Sequence, residues 1–302
     1  EIRPVLLLIE TLVFLMFIRQ IDLKVNFKTI SKLAILAALS NCIFYLVLYF
    51  GIIVASSDLY YINNTYRYLD LSTYFSVYFI IHYLINKQYK TISKSYYHNI
   101  AIILSFTSIV IANSRFIILA LFLALVLSNV TNYKLFIKRS FQALFVLFLF
   151  IGFSLIIDAS RVLDALSSDS IIMQLSNRYL PALLDIYKMT DLQRIFGYGL
   201  GHYFDISWFE YREAIDNQNI SIDCAYLTVY VKQGFLGLLS LIFALHLLVS
   251  SSIGKHRFAL LIFWGVMFFV SSSFYQIYPF GAVLYIAFLN SNEIKLSPNE
   301  IK

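Results

Sequence analysis

The 302-residue chain is 60% hydrophobic and only 13% charged, with a formal net charge of +6 and a mean hydropathy of +0.76. A water-soluble domain of this length needs more charge to cover its surface, so the composition points to an integral membrane protein. Two cysteines, Cys42 and Cys224, suggest neither a disulfide framework nor a cysteine metal cage.

Apolar windows recur along the chain, each long enough or nearly long enough to cross a hydrocarbon core of about 30 Å as helix. They predict spans near 4–18, 33–55, 71–85, 99–113, 116–130, 140–157, 226–250, 258–274 and 279–290. The expected fold is all-α, a polytopic membrane helix bundle of about nine transmembrane helices. One large extracytoplasmic loop with amphipathic helices interrupts it. In domain terms, 1–157 is an N-terminal bundle of six spans, 158–225 the loop, and 226–302 three further spans with a cytoplasmic tail. The first window has no basic segment before it and no cleavage site after it, so it reads as a span and not a signal peptide.

The connecting links alternate in charge. Lysine-rich links at 19–32, 86–98, 131–139 and 254–257 are expected in the cytoplasm, and 56–70, 158–225 and the turn near Tyr278 outside. This places Glu1 outside, so an odd number of helices is expected upstream of a chain that does not begin with methionine. The outer links favour arginine, whose planar fork can hold a phosphate with two parallel hydrogen bonds.

Residues 158–225 make a link longer than an idle loop should be. Within it, Ser170 to Met189 has near-helical apolar spacing, which predicts an amphipathic helix on the membrane surface. Pro181 would kink it or mark its first turn. Gly197, Gly199 and Gly201 follow, in a loop whose backbone can approach a ligand closely. Gly234 and Gly237 would let a neighbouring helix approach the next span.

Each candidate for chemistry has a bland counterpart. Arg115 interrupts an apolar stretch, and it either grips a lipid-linked phosphate or snorkels to headgroups at a helix turn. Arg178 and Arg194 flank the amphipathic segment and suit either a ligand or anionic headgroups. Asp223 precedes a helix, where it serves as an N-cap or as a base toward a sugar hydroxyl. His202 is a second candidate base, or a polar loop residue. The two glycines Gly199 and Gly201 lack the setting of a dinucleotide fingerprint, and the chain has no HExxH, paired-aspartate or serine-elbow motif. Metal-free chemistry without a cofactor is therefore favoured.

The order of these features resembles the O-antigen polymerase and O-antigen ligase superfamily of bacterial polysaccharide assembly. The resemblance is carried by Ser114 and Arg115, by Asn177 and Arg178, and by the turn Phe196, Gly197, Tyr198 and Gly199. It continues through Asp223, Tyr226 and Leu227 into Gly234 and Gly237, so that it covers roughly residues 100–250. Ligases of the superfamily usually carry histidine where this chain has Asp223, which tilts the reading toward a polymerase. Asparagine is usual where Cys224 stands.

The resemblance implies a glycosyltransferase in the bacterial cytoplasmic membrane, with its site facing the periplasm or exterior. It would join undecaprenyl-pyrophosphate-linked oligosaccharides among membrane lipids, alongside a chain-length regulator and a flippase, with no part for nucleic acid. Arg115 and Arg178, assisted by Arg194, would clamp the pyrophosphate. Gly197, Gly199 and Tyr226 would line the substrate, and Asp223 or His202 would handle the acceptor hydroxyl. A ligase-type transferase, a polysaccharide flippase and a non-enzymatic scaffold are the alternatives.

Overall fold

A computed structural model describes residues 27–52, 61–62, 65–66, 71–88, 96–112, 114–128, 168–206, 218–250 and 254–271, with a few positions between 136 and 148. Helix makes up 83% of them. The described helices are α1 (Phe27–Tyr49), α2 (Leu71–Gln88), α3 (Tyr96–Ile111), α4 (Arg115–Leu127), α5 (Ser168–Lys188), α6 (Asp191–Phe196), α7 (Ala225–Ser250) and α8 (Gly254–Val270). Two antiparallel two-stranded ribbons accompany them, so the chain is not purely α. Strand β1 (Tyr61–Ile62) pairs with β2 (Thr65–Tyr66), and β3 (Phe204–Asp205) pairs with β4 (Gln218–Asn219).

The expectation of about nine membrane spans is not met. Among the described residues two helical stretches are long and apolar enough to cross a bilayer, Phe27–Tyr49 with 23 residues and Ala225–Phe243 with 19. Helix α4 has 13 residues and α3 has 16, which is roughly 20 and 24 Å of helix at 1.5 Å per residue. Both fall short of a hydrocarbon core of about 30 Å. The apolar stretches of α2 and α8, Ser72–Ile85 and Arg257–Val270, are also short. A hydropathy window runs through the places where the backbone actually stops being helical. The windows 4–18 and 279–290, and nearly all of 140–157, lie outside the described residues.

The chain divides into two compact units, one built mainly on Ser154–Leu247 and Trp264–Ile277, the other on Glu10–Phe153 and Leu248–Phe263. In the second, α1 packs on α2 and α3, and α4 packs on α2. Ala34, Ala38 and Ala101 are fully buried, and small residues let helix backbones approach. Polar side chains join the three helices inside. Asn41 donates to Thr73 Oγ1 at 3.1 Å and to Ser108 Oγ at 2.6 Å. Ser31 Oγ lies 2.7 Å from His98 Nδ1, beneath a cluster of Phe27, Phe79, His82 and Tyr83. A buried polar group must find a partner, so these contacts select one helix register.

The first unit holds α5, α6, the β3–β4 ribbon and most of α7. Its core contains Ala182, Met189, Phe204, Ile206, Ile222, Cys224 and Val231. Thr190 closes the start of α6 with a capping box: its hydroxyl accepts from Gln193 N, and the Gln193 side chain accepts from Thr190 N. Pro181 sits inside α5, where it removes one helical hydrogen bond without ending the helix.

Candidate functional site

Helix α5 presents Arg178, Ala182 and Asp185 at spacings of four and three residues, which places them on one face, and Met189 follows directly after the helix ends. Ala182 and Met189 are buried in the core of the unit. The two charged residues of this face, Arg178 and Asp185, meet groups from later in the chain. Arg178 Nε stands 3.7 Å from Asp223 Oδ2, and His202 Nε2 stands 2.9 Å from Asp185 Oδ2. Seven residues of helix put the two pairs roughly 10 Å apart along the α5 axis.

The Asp185–His202 pair is well supported. Both side chains are about four-fifths covered, at 23% and 20% exposure. The imidazole stacks on the Tyr198 ring at 4.8 Å and meets Phe204 edge-on at 5.2 Å. Tyr198 also donates its hydroxyl to the Asp185 carbonyl at 3.2 Å. A carboxylate only accepts, so Nε2 is the donor to Asp185, and in the neutral imidazole this leaves the lone pair on Nδ1. Among the described residues Nδ1 has no hydrogen-bond partner. This is the form in which an imidazole can take a proton from a hydroxyl.

The loop that delivers His202 is docked onto a break in α7. Gly234, with φ 64° and ψ −160°, leaves the helical region in the middle of α7. The kink frees carbonyls one turn earlier, and the loop uses them: Tyr198 N donates to Val231 O and Gly199 N to Lys232 O, both at 2.9 Å. Lys232 is buried and donates from Nζ to Leu200 O at 3.0 Å. Gly197 (φ 78°) makes the approach possible, because a side chain there would collide with the backbone of Lys232 and Gln233. Gly199 (φ 101°) turns the loop toward His202, whose N–H donates to the Gly199 carbonyl at 3.2 Å.

Asp223 does not cap α7. Its carboxylate faces Arg178, while Thr228 Oγ1 accepts from Ile222 N and returns a bond to Ile222 O, each at 3.2 Å. Cys224 occupies the position before the helix. Burial pushes its thiol up, the N–H groups of Leu227 and Tyr226 partly offset this, and the Asp223 carboxylate adds to the rise. Tyr179, next to Arg178, is also pushed up, first by burial and then by Cys224; Arg178 opposes the shift and Asp223 adds to it. Its hydroxyl donates to the Phe269 carbonyl at 2.7 Å.

Of the residues singled out in the sequence, the structure brings Arg178, Asp223, His202, Gly197 and Gly199 into one unit around α5 and α7. Tyr226 stands on the first turn of α7, half-buried against Phe268 and Phe269, and donates to Gly265 O at 3.3 Å. That bond occupies its hydroxyl, which favours a packing role. Arg194 is 55% exposed and reaches Asp191, three residues back, at 3.5 Å. Arg115 is the first residue of α4, after the extended Ser114, and its side chain lies outside the described part of the structure. Among the described residues no three His, Cys, Asp or Glu side chains converge as a metal site.

Asp185, Tyr198 and Lys232 were not singled out as site residues in the sequence. The spacing of Arg178, Ala182 and Asp185 was the available signal for Asp185. Tyr198 stands in the glycine turn and Lys232 interrupts an apolar run, but their partners come from distant segments and local sequence does not name them.

No curated protein and no solved structure matches the chain. A family model does match, over residues 2–297, and on that extent the chain belongs to the family of unknown function DUF6369.

Proposed function

We propose that the protein is a membrane glycosyltransferase that joins undecaprenyl-pyrophosphate-linked glycans, acting as a polysaccharide repeat-unit polymerase at the outer face of the bacterial cytoplasmic membrane. The observation that carries this reading is the meeting of Arg178 with Asp223 on the same α5 face as the Asp185–His202 pair. A guanidinium and a directed imidazole beside a glycine loop match the needs of this chemistry. The order of motifs through residues 100–250 adds the resemblance to polysaccharide polymerases.

In the proposed reaction an acceptor sugar hydroxyl attacks the anomeric carbon of the donor. His202 Nδ1, or the Asp223 carboxylate, takes the hydroxyl proton. The bond between the anomeric carbon and the pyrophosphate oxygen breaks, and undecaprenyl pyrophosphate departs with the bonding electrons. A pyrophosphate leaving group needs positive charge more than it needs a proton, and Arg178 supplies it. Arg178 and Asp223 are 3.7 Å apart, too long for a strong ion pair, so a phosphate can compete for the guanidinium. For Arg115, motif order alone supports a phosphate contact. Arg194, exposed on α6, takes a lesser part in holding the lipid-linked substrate.

The test is reconstitution of the full chain in bilayers with a lipid-linked repeat unit. The expected result is longer lipid-linked chains and one released undecaprenyl pyrophosphate per bond formed. Transfer of the glycan to a lipid core or protein acceptor instead would mean a ligase. Translocation without a new glycosidic bond would mean a flippase. Either outcome overturns the polymerase reading.

A further inference from the structure

Residue exposure along α7 changes abruptly at Gly234. Before it, Ala225, Thr228, Val229, Val231 and Lys232 are all buried by the protein. After it, Phe235, Leu236, Leu239, Ile242 and Phe243 are 46–62% exposed. The helix continues to Ser250, which is roughly 24 Å beyond the kink at 1.5 Å per residue. That length equals α3's, which is shorter than a hydrocarbon core of about 30 Å but makes up most of its thickness.

A second apolar surface meets α7 at the same level. The backbone of Gly234 lies directly against that of Ile195 and Phe196, at the end of α6. Those two side chains are 44% and 61% exposed, next to the exposed Phe235 and Leu236. Helix α5, which ends three residues before α6, carries exposed Leu180, Leu183, Leu184 and Tyr187, at 48–86%. Their spacing of three, four and seven residues makes a single helix face. It points away from the face that carries Arg178, Ala182 and Asp185, so packing within this unit does not account for it. Water is a poor neighbour for so much contiguous apolar surface.

We infer that the lipid bilayer begins at the level of Gly234, and that α5 and α6 rest in its surface with the Leu180–Tyr187 stripe turned into lipid. The part of α7 before the kink then stands in the interfacial layer, covered by α5, α6 and β3. The apolar length of α7 overstates the part that lies in lipid. Continuity with the exposed flank of α7 selects lipid as the occupant over a second protein. The arrangement places Arg178 and His202 at headgroup depth, where the pyrophosphate of a lipid-linked ligand lies. It does not depend on the transfer reaction, since it concerns position and not turnover.

The test uses the unsubstituted full chain in vesicles of phosphatidylethanolamine and phosphatidylglycerol. A small diazirine that partitions into the hydrocarbon is photolysed, and labelled residues are read by mass spectrometry. Label is expected on Leu180, Leu183, Leu184, Tyr187 and Phe196, and on α7 from Phe235 onward. Residues 225–233 and Gln218 should carry at least fivefold less. Label spread evenly through 225–233 would overturn the boundary at Gly234. An α5 stripe without label would overturn its lipid contact. Hydroxyl-radical footprinting would then identify the occupant, with oxidation of the stripe meaning water and protection meaning a second copy or another protein.

Discussion

Gly197 and Gly234 interlock: each presents its bare Cα to the backbone beside the other, Gly197 to Lys232 and Gln233, Gly234 to Ile195 and Phe196. Both have positive φ, which costs an L-residue about 1–2 kcal/mol before any collision is counted. Gly197→Ala and Gly234→Ala are each expected to destabilise the fold by more than about 2 kcal/mol. Gly201→Ala, with open space around it, should change stability by less than about 0.5 kcal/mol. Thermal unfolding of the detergent-solubilised variants measures all three. Equal effects at Gly197 and Gly201 would refute the docking of the loop on the α7 kink.

The Arg178–Asp223 pair separates a catalytic role from a structural one by magnitude. At 3.7 Å, with Asp223 half exposed, the pair is worth at most about 1 kcal/mol of stability. Loss of a cation that stabilises the departing pyrophosphate costs on the order of 10²–10³ in rate. Arg178→Ala gives up little through this pair and should insert, yet lose chain elongation. Arg178→Lys keeps the charge without the fork and should recover only part of the rate. Elongation unchanged in Arg178→Ala, in a properly inserted protein, would dismiss the clamp.

Asp185 is a positioning residue in this scheme, because it holds Nε2 and leaves Nδ1 to the substrate. Asp185→Asn should lower kcat about a hundredfold with KM nearly unchanged, since the correct imidazole tautomer is no longer enforced. His202→Gln should cost at least as much. Asp185→Glu, which can re-form the bond, should restore part of kcat. Steady-state kinetics on the lipid-linked substrate separates this from simple loss of folding, which would lower the amount of active protein without that rescue.

The buried thiol of Cys224 sets a pH dependence whose sign follows from its shift. Its pKa is raised above the ordinary 9.0, chiefly by burial, so the folded state favours the neutral thiol. Below the ordinary value both states are protonated and the group has no effect. As pH rises past it, the unfolded chain releases the proton first and stability falls. Tyr179 acts in the same direction from its ordinary 10.0. The unfolding temperature should decline between about pH 8.5 and pH 10.5, and Cys224→Ala should flatten the lower part of that decline. Iodoacetamide should modify Cys224 much more slowly in the folded protein than in the unfolded one.

The neighbourhood of the candidate site was legible in the sequence. Gly197, Gly199, Gly234, Arg178, His202 and Asp223 stand out because polar and glycine residues are scarce in so apolar a chain. Helical character was legible for the same reason, since apolar residues without strand alternation have few other ways to satisfy their backbone. The number of membrane spans was not. A hydropathy window adds up transfer free energies and takes no account of where a helix stops, so α3 and α4 passed as spans although each ends too soon. The role of Asp223 was open between a cap and a charge partner, and the outcome depended on Arg178, which α5 brings to it from far back in the chain. Composition and spacing determined that this protein is an apolar, mainly helical chain with one polar, glycine-marked neighbourhood. Tertiary structure alone decided that Gly197 faces Gly234, that Asp185 holds His202, and that α7 bends where the loop docks. Those are contacts between distant segments, whose energies appear only once the intervening chain has packed.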